Sequence, residues 1–171
     1  MLRATMWLLS AGLVACALWL WPEVPDRVPL HFGADGTPDR WGDRSLLSWL
    51  GLPLVGLGVS ALLDWTAWWT ARRPDSPLVN LPRKRELLAL PPERRAPVLR
   101  VVARMVYGLG VLSAAALFLI QLGIWTTAQG RDGSAWILAA TAALLAGSVA
   151  GAVWGSVRAG AEVERQQAAG G

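Results

Sequence analysis

Charge is scarce in this sequence. Asp, Glu, Lys and Arg make up 16% of its 171 residues, against about 25% in an average soluble domain, which argues against a water-exposed globular fold. Cysteine and histidine are scarcer still, with one of each, Cys16 and His31. They supply no disulfide framework and no zinc site of known ligand spacing. A nucleophile is missing too. Cys16 lies in an apolar run, and Ser45 and Ser48 stand in no recognisable catalytic motif, so no triad can be assembled. The chain is therefore read as a non-enzyme, with no catalytic residue, no bound metal and no cofactor.

Apolar residues dominate instead: 54% of the chain, with a mean hydropathy of +0.39. A helix that crosses a bilayer needs roughly 17–25 mostly apolar residues. Four stretches meet that, at about 4–21, 46–69, 105–127 and 135–157. The expected fold is an all-α integral membrane protein, a single membrane domain over 1–171. An outer loop at 22–45, a basic cytoplasmic loop at 70–104 and a cytoplasmic tail at 158–171 complete it. The motif "LVAC" at 13–16 matches a lipoprotein processing box, but "ALWLWP" continues the apolar run beyond it, so an uncleaved signal anchor is preferred.

The net charge of +4 invites a nucleic-acid reading. The distribution speaks against it, because the basic residues form no folded face with interleaved aromatics. Nine of the sixteen lie between Arg72 and Arg104, as expected of a cytoplasmic loop under the positive-inside rule. With Arg3, Arg158 and Arg165 on the same side, twelve basic residues are inside and four outside. Both termini are then cytoplasmic. The eleven tryptophans agree, gathering towards the two ends of the four spans, where aromatic belts form. The expected location is a membrane crossed several times, with the lipid bilayer as the first partner.

Between the first two spans, "PEVPDRVPL" carries prolines at 22, 25 and 29, which favour a stiff extended strap. "FGADG" reads as a tight turn, since Gly33 and Gly36 accept positive φ and Asp35 can bond its own backbone. Asp43 or Ser45 is placed to cap the second span. A short hairpin-like element on the outer membrane face is expected. The second span holds Pro53 among Gly51, Gly56 and Gly58, where a kink is expected. In the inner loop, Leu87, Leu88 and Leu90 beside Arg83, Lys84 and Arg85 suit an anionic leaflet, or an ordinary positive-inside loop. Ala139, Ala143, Gly147, Gly151 and Gly155 repeat every fourth residue, a pattern of close helix packing, preferably within the chain rather than against a second copy.

Four readings compete for the outer loop. His31 with Asp35 or Asp39 offers a base and its orienter. His31, Asp35, Asp39 and Asp43 offer mixed metal ligands, although their spacing fits no calcium loop. The acids can equally shape turns and pair with Arg27, Arg40 and Arg44, or the loop can present a recognition surface. Elsewhere, an acid within a span is a functional candidate by default. Asp64 is that acid, with Arg72, Arg104 or headgroup water as expected company. Gln121 is the polar residue at depth in the third span.

The stretch "PDRVPLHFGADGTPDRWG" resembles the hallmark of a bacterial membrane family catalogued as domain of unknown function 1648, close to P-x-x-I-P-x-H-F-N-x-x-G-x-x-D-x-W-G-S-K. Matching positions are Pro25, Pro29, His31, Phe32, Gly36, Asp39, Trp41 and Gly42. Gly33 stands where Asn is common, and Asp43-Arg44 where Ser-Lys is common. The inner loop "LPRKRELLALPPERR" and the run "LFLIQLGIWTTAQG" around Gln121 are similar to the family's as well. The resemblance implies a relation to the N-terminal domain of SdpI-type immunity proteins, which protect a bacterium from its own peptide toxin. It points to recognition of, or immunity to, an extracytoplasmic hydrophobic or peptide ligand through His31, Phe32, Gly36, Asp39, Trp41 and Gly42. A cytoplasmic protein is a further candidate partner, at the basic loop. An ion-coupled carrier using Asp64 and Gln121, and a metal-dependent hydrolase using His31 and the loop aspartates, are the alternatives.

Overall fold

A computed structural model describes residues 1–169 except Leu78 and Pro82. Those two residues of the basic loop, and Gly170 and Gly171 at the end of the tail, lie outside the described residues. Helix α1 spans Leu2–Leu20 and passes through a single 3-10 turn, Trp21–Glu23, into strand β1, Arg27–Phe32. Strand β2, Pro38–Asp43, returns antiparallel to it and leads into α2, Leu46–Arg72. A short helix α3, Lys84–Ala89, precedes α4, Pro92–Ala128, and α5, Ser134–Ala168. Four helices, α1, α2, α4 and α5, are long and apolar enough to cross a membrane.

Two of these helices overrun the spans expected from apolarity. At 37 and 35 residues, α4 and α5 reach roughly 50–55 Å at 1.5 Å per residue, well beyond a hydrocarbon core of about 30 Å. The reason lies in the buried cluster of Leu87, Leu90, Val98, Val102, Ala159 and Val163. Val98 and Val102, and Ala159 and Val163, sit one turn apart on facing stripes, Arg94 extends the α4 stripe to the Gln166 carbonyl of α5, Arg95 turns to the Leu88 and Leu90 carbonyls, and Arg100 is exposed. This is the amphipathic pattern of a soluble helix pair. So the helices continue over 92–104 and 158–168. A hydropathy average registers the need for lipid, not the end of a helix.

The bundle is a triangle of α1, α2 and α4, with α5 packed on the outside of α4. Ser10 and Ser60 share a 2.7 Å hydrogen bond where α1 crosses α2. Gly110 of α4 admits Met6, and Gly56 of α2 admits Leu13 and Leu117. Helix α2 starts on a capping box. The Ser45 hydroxyl accepts from the Ser48 amide at 3.0 Å, and the Ser48 hydroxyl accepts from the Ser45 amide at 2.9 Å, which satisfies two orphan donors. The helix then runs unbroken through a buried Pro53.

The four-residue stripe of α5 does not stay on one face. An α-helix advances about 100° per residue, so a strict spacing of four drifts by about 40° at each step. Ala139 and Ala143 accordingly face outwards. Gly147 lies against Leu112, and Gly155 against Met105. Gly151 has no atom within 4 Å of where a Cβ would sit. The residues that α5 buries are Ile137, Ala140, Gly155, Ala159 and Val163.

The outer strap folds rather than merely extending. Val24 and Val28 are buried against Ala17, Leu20 and Trp49, which pins the β1–β2 hairpin to the end of the α1–α2 pair. Its turn is closed by the Gly33 amide donating to the Thr37 carbonyl at 2.8 Å and the Gly36 amide to the Gly33 carbonyl at 2.9 Å. Gly36 takes φ +77°, and a Cβ there would press on Ser134 and Leu138 of α5. Gly36→Val should therefore lower stability by about 1–3 kcal/mol, from left-handed backbone strain and the clash together. Thermal unfolding in detergent tests this, with Gly51→Ala as the control because a Cβ at Gly51 meets nothing. Equal melting of Gly36→Val and the parent sinks the argument.

Candidate functional site

The hairpin presents one face to the bundle and one outwards. Cross-strand pairing sets His31 opposite Arg40 and Pro29 opposite Trp41. His31 Nδ1 lies 2.6 Å from Asp39 Oδ1, with the side chains 60% and 53% exposed. Trp41 and Leu30 are also exposed, and the Leu30 side chain lies across Gly42. Phe32 is half-buried. Large apolar side chains thus stand beside a carboxylate–imidazole pair on an ordered element.

Several bonds hold that element in place. The Arg44 guanidinium donates to the Trp21 carbonyl at 2.8 Å and lies 4.3 Å over the Trp21 ring. The Gln129 amide donates to the Glu23 carbonyl at 2.8 Å, which ties the α1 exit to the end of α4. Asp35 accepts from both the amide and the hydroxyl of Thr37, at 3.0 and 2.7 Å. These bonds hold its carboxyl below the usual carboxylate range. Asp132 is held low in the same way by the Ser134 side chain and amide at the start of α5. A cleft of about 360 Å³ separates the hairpin turn from the α4–α5 turn, with Thr37, Trp41, Thr127 and Arg131 among its walls.

The expected arginine pairings are only partly present. Asp43 faces Arg27 at 3.9 Å, both exposed. Asp39 takes His31, Asp35 takes Thr37, and Arg44 turns to Trp21. Among the described residues no three of His, Cys, Asp or Glu converge as a metal site. Asp35 sits in the turn, and Asp39 and Asp43, four residues apart on β2, are separated by about 13 Å along the strand, too far to share an ion.

A second polar cluster sits near the other end of the bundle. The Asp64 carboxylate accepts from Arg3 at 2.9 and 3.2 Å, from Trp7 at 3.3 Å and from Tyr107 at 2.8 Å. Its expected company was Arg72 or Arg104. Instead Arg72 stacks 4.4 Å over Trp68, because the start of α1 lies nearer to Asp64 than the end of its own helix. The antiparallel order of the first two spans was the available signal for Arg3. Tyr107 could not be foreseen without the depth of α4. A cleft of about 490 Å³ opens beside the cluster, walled by Trp7, Trp65, Trp68 and Arg72. Gln121 is far from it in the chain and fully buried, its amide 3.5 Å from the Trp49 carbonyl. Trp49 itself donates to the Ala17 carbonyl at 2.7 Å.

Residues 8–57 match the family described as Domain of unknown function (DUF1648). That stretch holds most of α1, the whole hairpin and the first part of α2, and it stops short of Asp64, α4 and α5. A protein of Archaeoglobus fulgidus, named only as uncharacterized, is 50% identical over 54 residues. The matched segment amounts to 28% of this chain and 28% of that protein. No solved structure matches.

Proposed function

We propose that this multi-pass membrane protein recognises an extracytoplasmic peptide on the exposed face of its hairpin, and so confers immunity to a membrane-active toxin. The observation that carries the reading is a hairpin fastened on one side by Val24, Val28 and Arg44 that leaves Leu30, His31, Asp39 and Trp41 outside. Exposed tryptophan on a rigid support is what binding hot spots are made of. Charge gives the ligand's sign. The segment 22–45 holds five acidic and three basic residues in a chain of net charge +4, so it favours a cationic amphipathic peptide. The resemblance to SdpI-type immunity proteins supports the same reading.

The orientation that goes with it is N-in and C-in across a bacterial plasma membrane, with the hairpin outside and the basic loop at 70–104 facing a cytoplasmic partner. The other two readings draw less from the geometry. A carrier needs a path joining Asp64 to Gln121, and Gln121 is packed on Trp49 within the bundle. A metal-dependent hydrolase needs more than the single His31–Asp39 pair.

The test uses the protein in nanodiscs and a fluorescent cationic amphipathic helical peptide. Binding is expected to weaken about tenfold in Trp41→Ala, in line with loss of a hot-spot residue, while the melting temperature holds. Binding that is absent in the parent, or undiminished in both Trp41→Ala and His31→Ala, makes the hairpin a scaffold.

A further inference from the structure

Helices α4 and α5 run antiparallel, with Gly155 against Met105, Gly147 against Leu112 and Gly123 against Ile137. Between the first two of these contacts the pair opens into a groove of about 400 Å³. Its floor holds Gly108 and Gly151, and a Cβ at either would meet no atom within 4 Å. Glycine inside a helix is unfavourable relative to almost any other residue except proline. The usual return is room for a close neighbour, which Gly147 gives to the Leu112 side chain and Gly155 to the Met105 side chain, while Gly108 and Gly151 give it to nothing. These two glycines keep a space open.

The walls of that space are Met105, Leu109, Leu112 and Trp154. From residue 104 to 112 it runs about 12 Å along α4. Arg104 closes one end. It is exposed, and among the described residues it makes no hydrogen bond or ion pair. Arg158 lies at the same end, 5.6 Å over the Trp154 ring. An apolar slot at membrane depth that finishes at unpaired guanidinium has the chemistry of an amphiphile with an anionic head. Guanidinium binds phosphate oxygens through paired, charge-assisted hydrogen bonds.

We infer that this groove holds one acyl chain of an anionic phospholipid, with the phosphate at Arg104. A zwitterionic lipid of the same chain length fits the slot but gains less at its mouth. The site is separate from the hairpin and does not depend on the peptide reading.

Native mass spectrometry of the full chain from mild detergent tests it, with phosphatidylglycerol and phosphatidylcholine of identical chains as probes. The parent should retain phosphatidylglycerol about tenfold better, because the choline ammonium of phosphatidylcholine offsets the phosphate charge beside Arg104 and Arg158. Gly151→Leu and Gly108→Leu should lose adducts of both lipids without a lower melting temperature, since each fills open space with a better helix former. Arg104→Gln should keep binding but lose the preference. Equal retention of both lipids by the parent, or unchanged adducts in both glycine variants, overturns the inference. A parent dimer that Gly151→Leu dissolves while lipid binding persists also overturns it, in favour of a second copy in the groove.

Discussion

Trp49→Ala should cost about 3–5 kcal/mol, the range for removing a large buried aromatic side chain, and it should release the hairpin as well as loosen the bundle. Trp49 is fully buried. Its indole N–H donates to the Ala17 carbonyl at 2.7 Å, and its ring packs with Leu20, Val24 and Val28. One side chain therefore joins α1, α2 and β1. Trp49→Phe keeps most of the packing and loses the hydrogen bond, so a smaller loss of about 1 kcal/mol is expected. Unfolding in detergent gives the first readout. Trypsin gives the second, because Arg27 and Arg40 on the hairpin should become cleavable in Trp49→Ala at temperatures where the parent resists. A Trp49→Ala protein that melts with the parent and keeps its hairpin protected removes Trp49 as the link.

What the residues disclosed, and what they concealed, follows from the range of each physical signal. Apolar runs long enough for a bilayer are self-contained, so the four membrane-length helices were legible. Turn chemistry is local too, and "FGADG" with its Gly36 at positive φ lies where a turn was expected. Helix extent beyond the membrane was not legible, because Val98 and Val102 reveal their purpose only once Ala159 and Val163 stand opposite them. The α5 stripe misled for a different reason. A spacing of four looks regular in a list of residues, yet on a helix it rotates away from any fixed neighbour, and only Gly147 and Gly155 meet α4 closely. In the candidate site, the His31–Asp39 pair was within reach of a hairpin register. The redirection of Arg44 to the Trp21 carbonyl and ring was not, since it depends on how the 3-10 turn at Trp21–Glu23 bends the chain.

Asp64→Leu should destabilise the protein by about 2 kcal/mol, because it strands donors that have been drawn away from water. The Asp64 side chain is 16% exposed, and Trp7 and Tyr107 both point their donors at it. Asp64→Asn keeps an acceptor for Tyr107 at 2.8 Å and should cost less, about 1 kcal/mol, by the same reasoning. The diagnostic variant is Asp64→Asn, which removes the charge but leaves Trp7 and Tyr107 an acceptor. Arg3 is 65% exposed, so its lost partner costs little beside stranded donors. Activity of this variant separates structure from transport. A carrier that moves protons through Asp64 loses function in Asp64→Asn, however well it folds. A protein in which Asp64 only fastens α1 to α2 and α4 keeps function together with stability. Protection against a cationic peptide, measured in parallel with melting of each variant, decides between them: the clasp reading requires the two to rise and fall together.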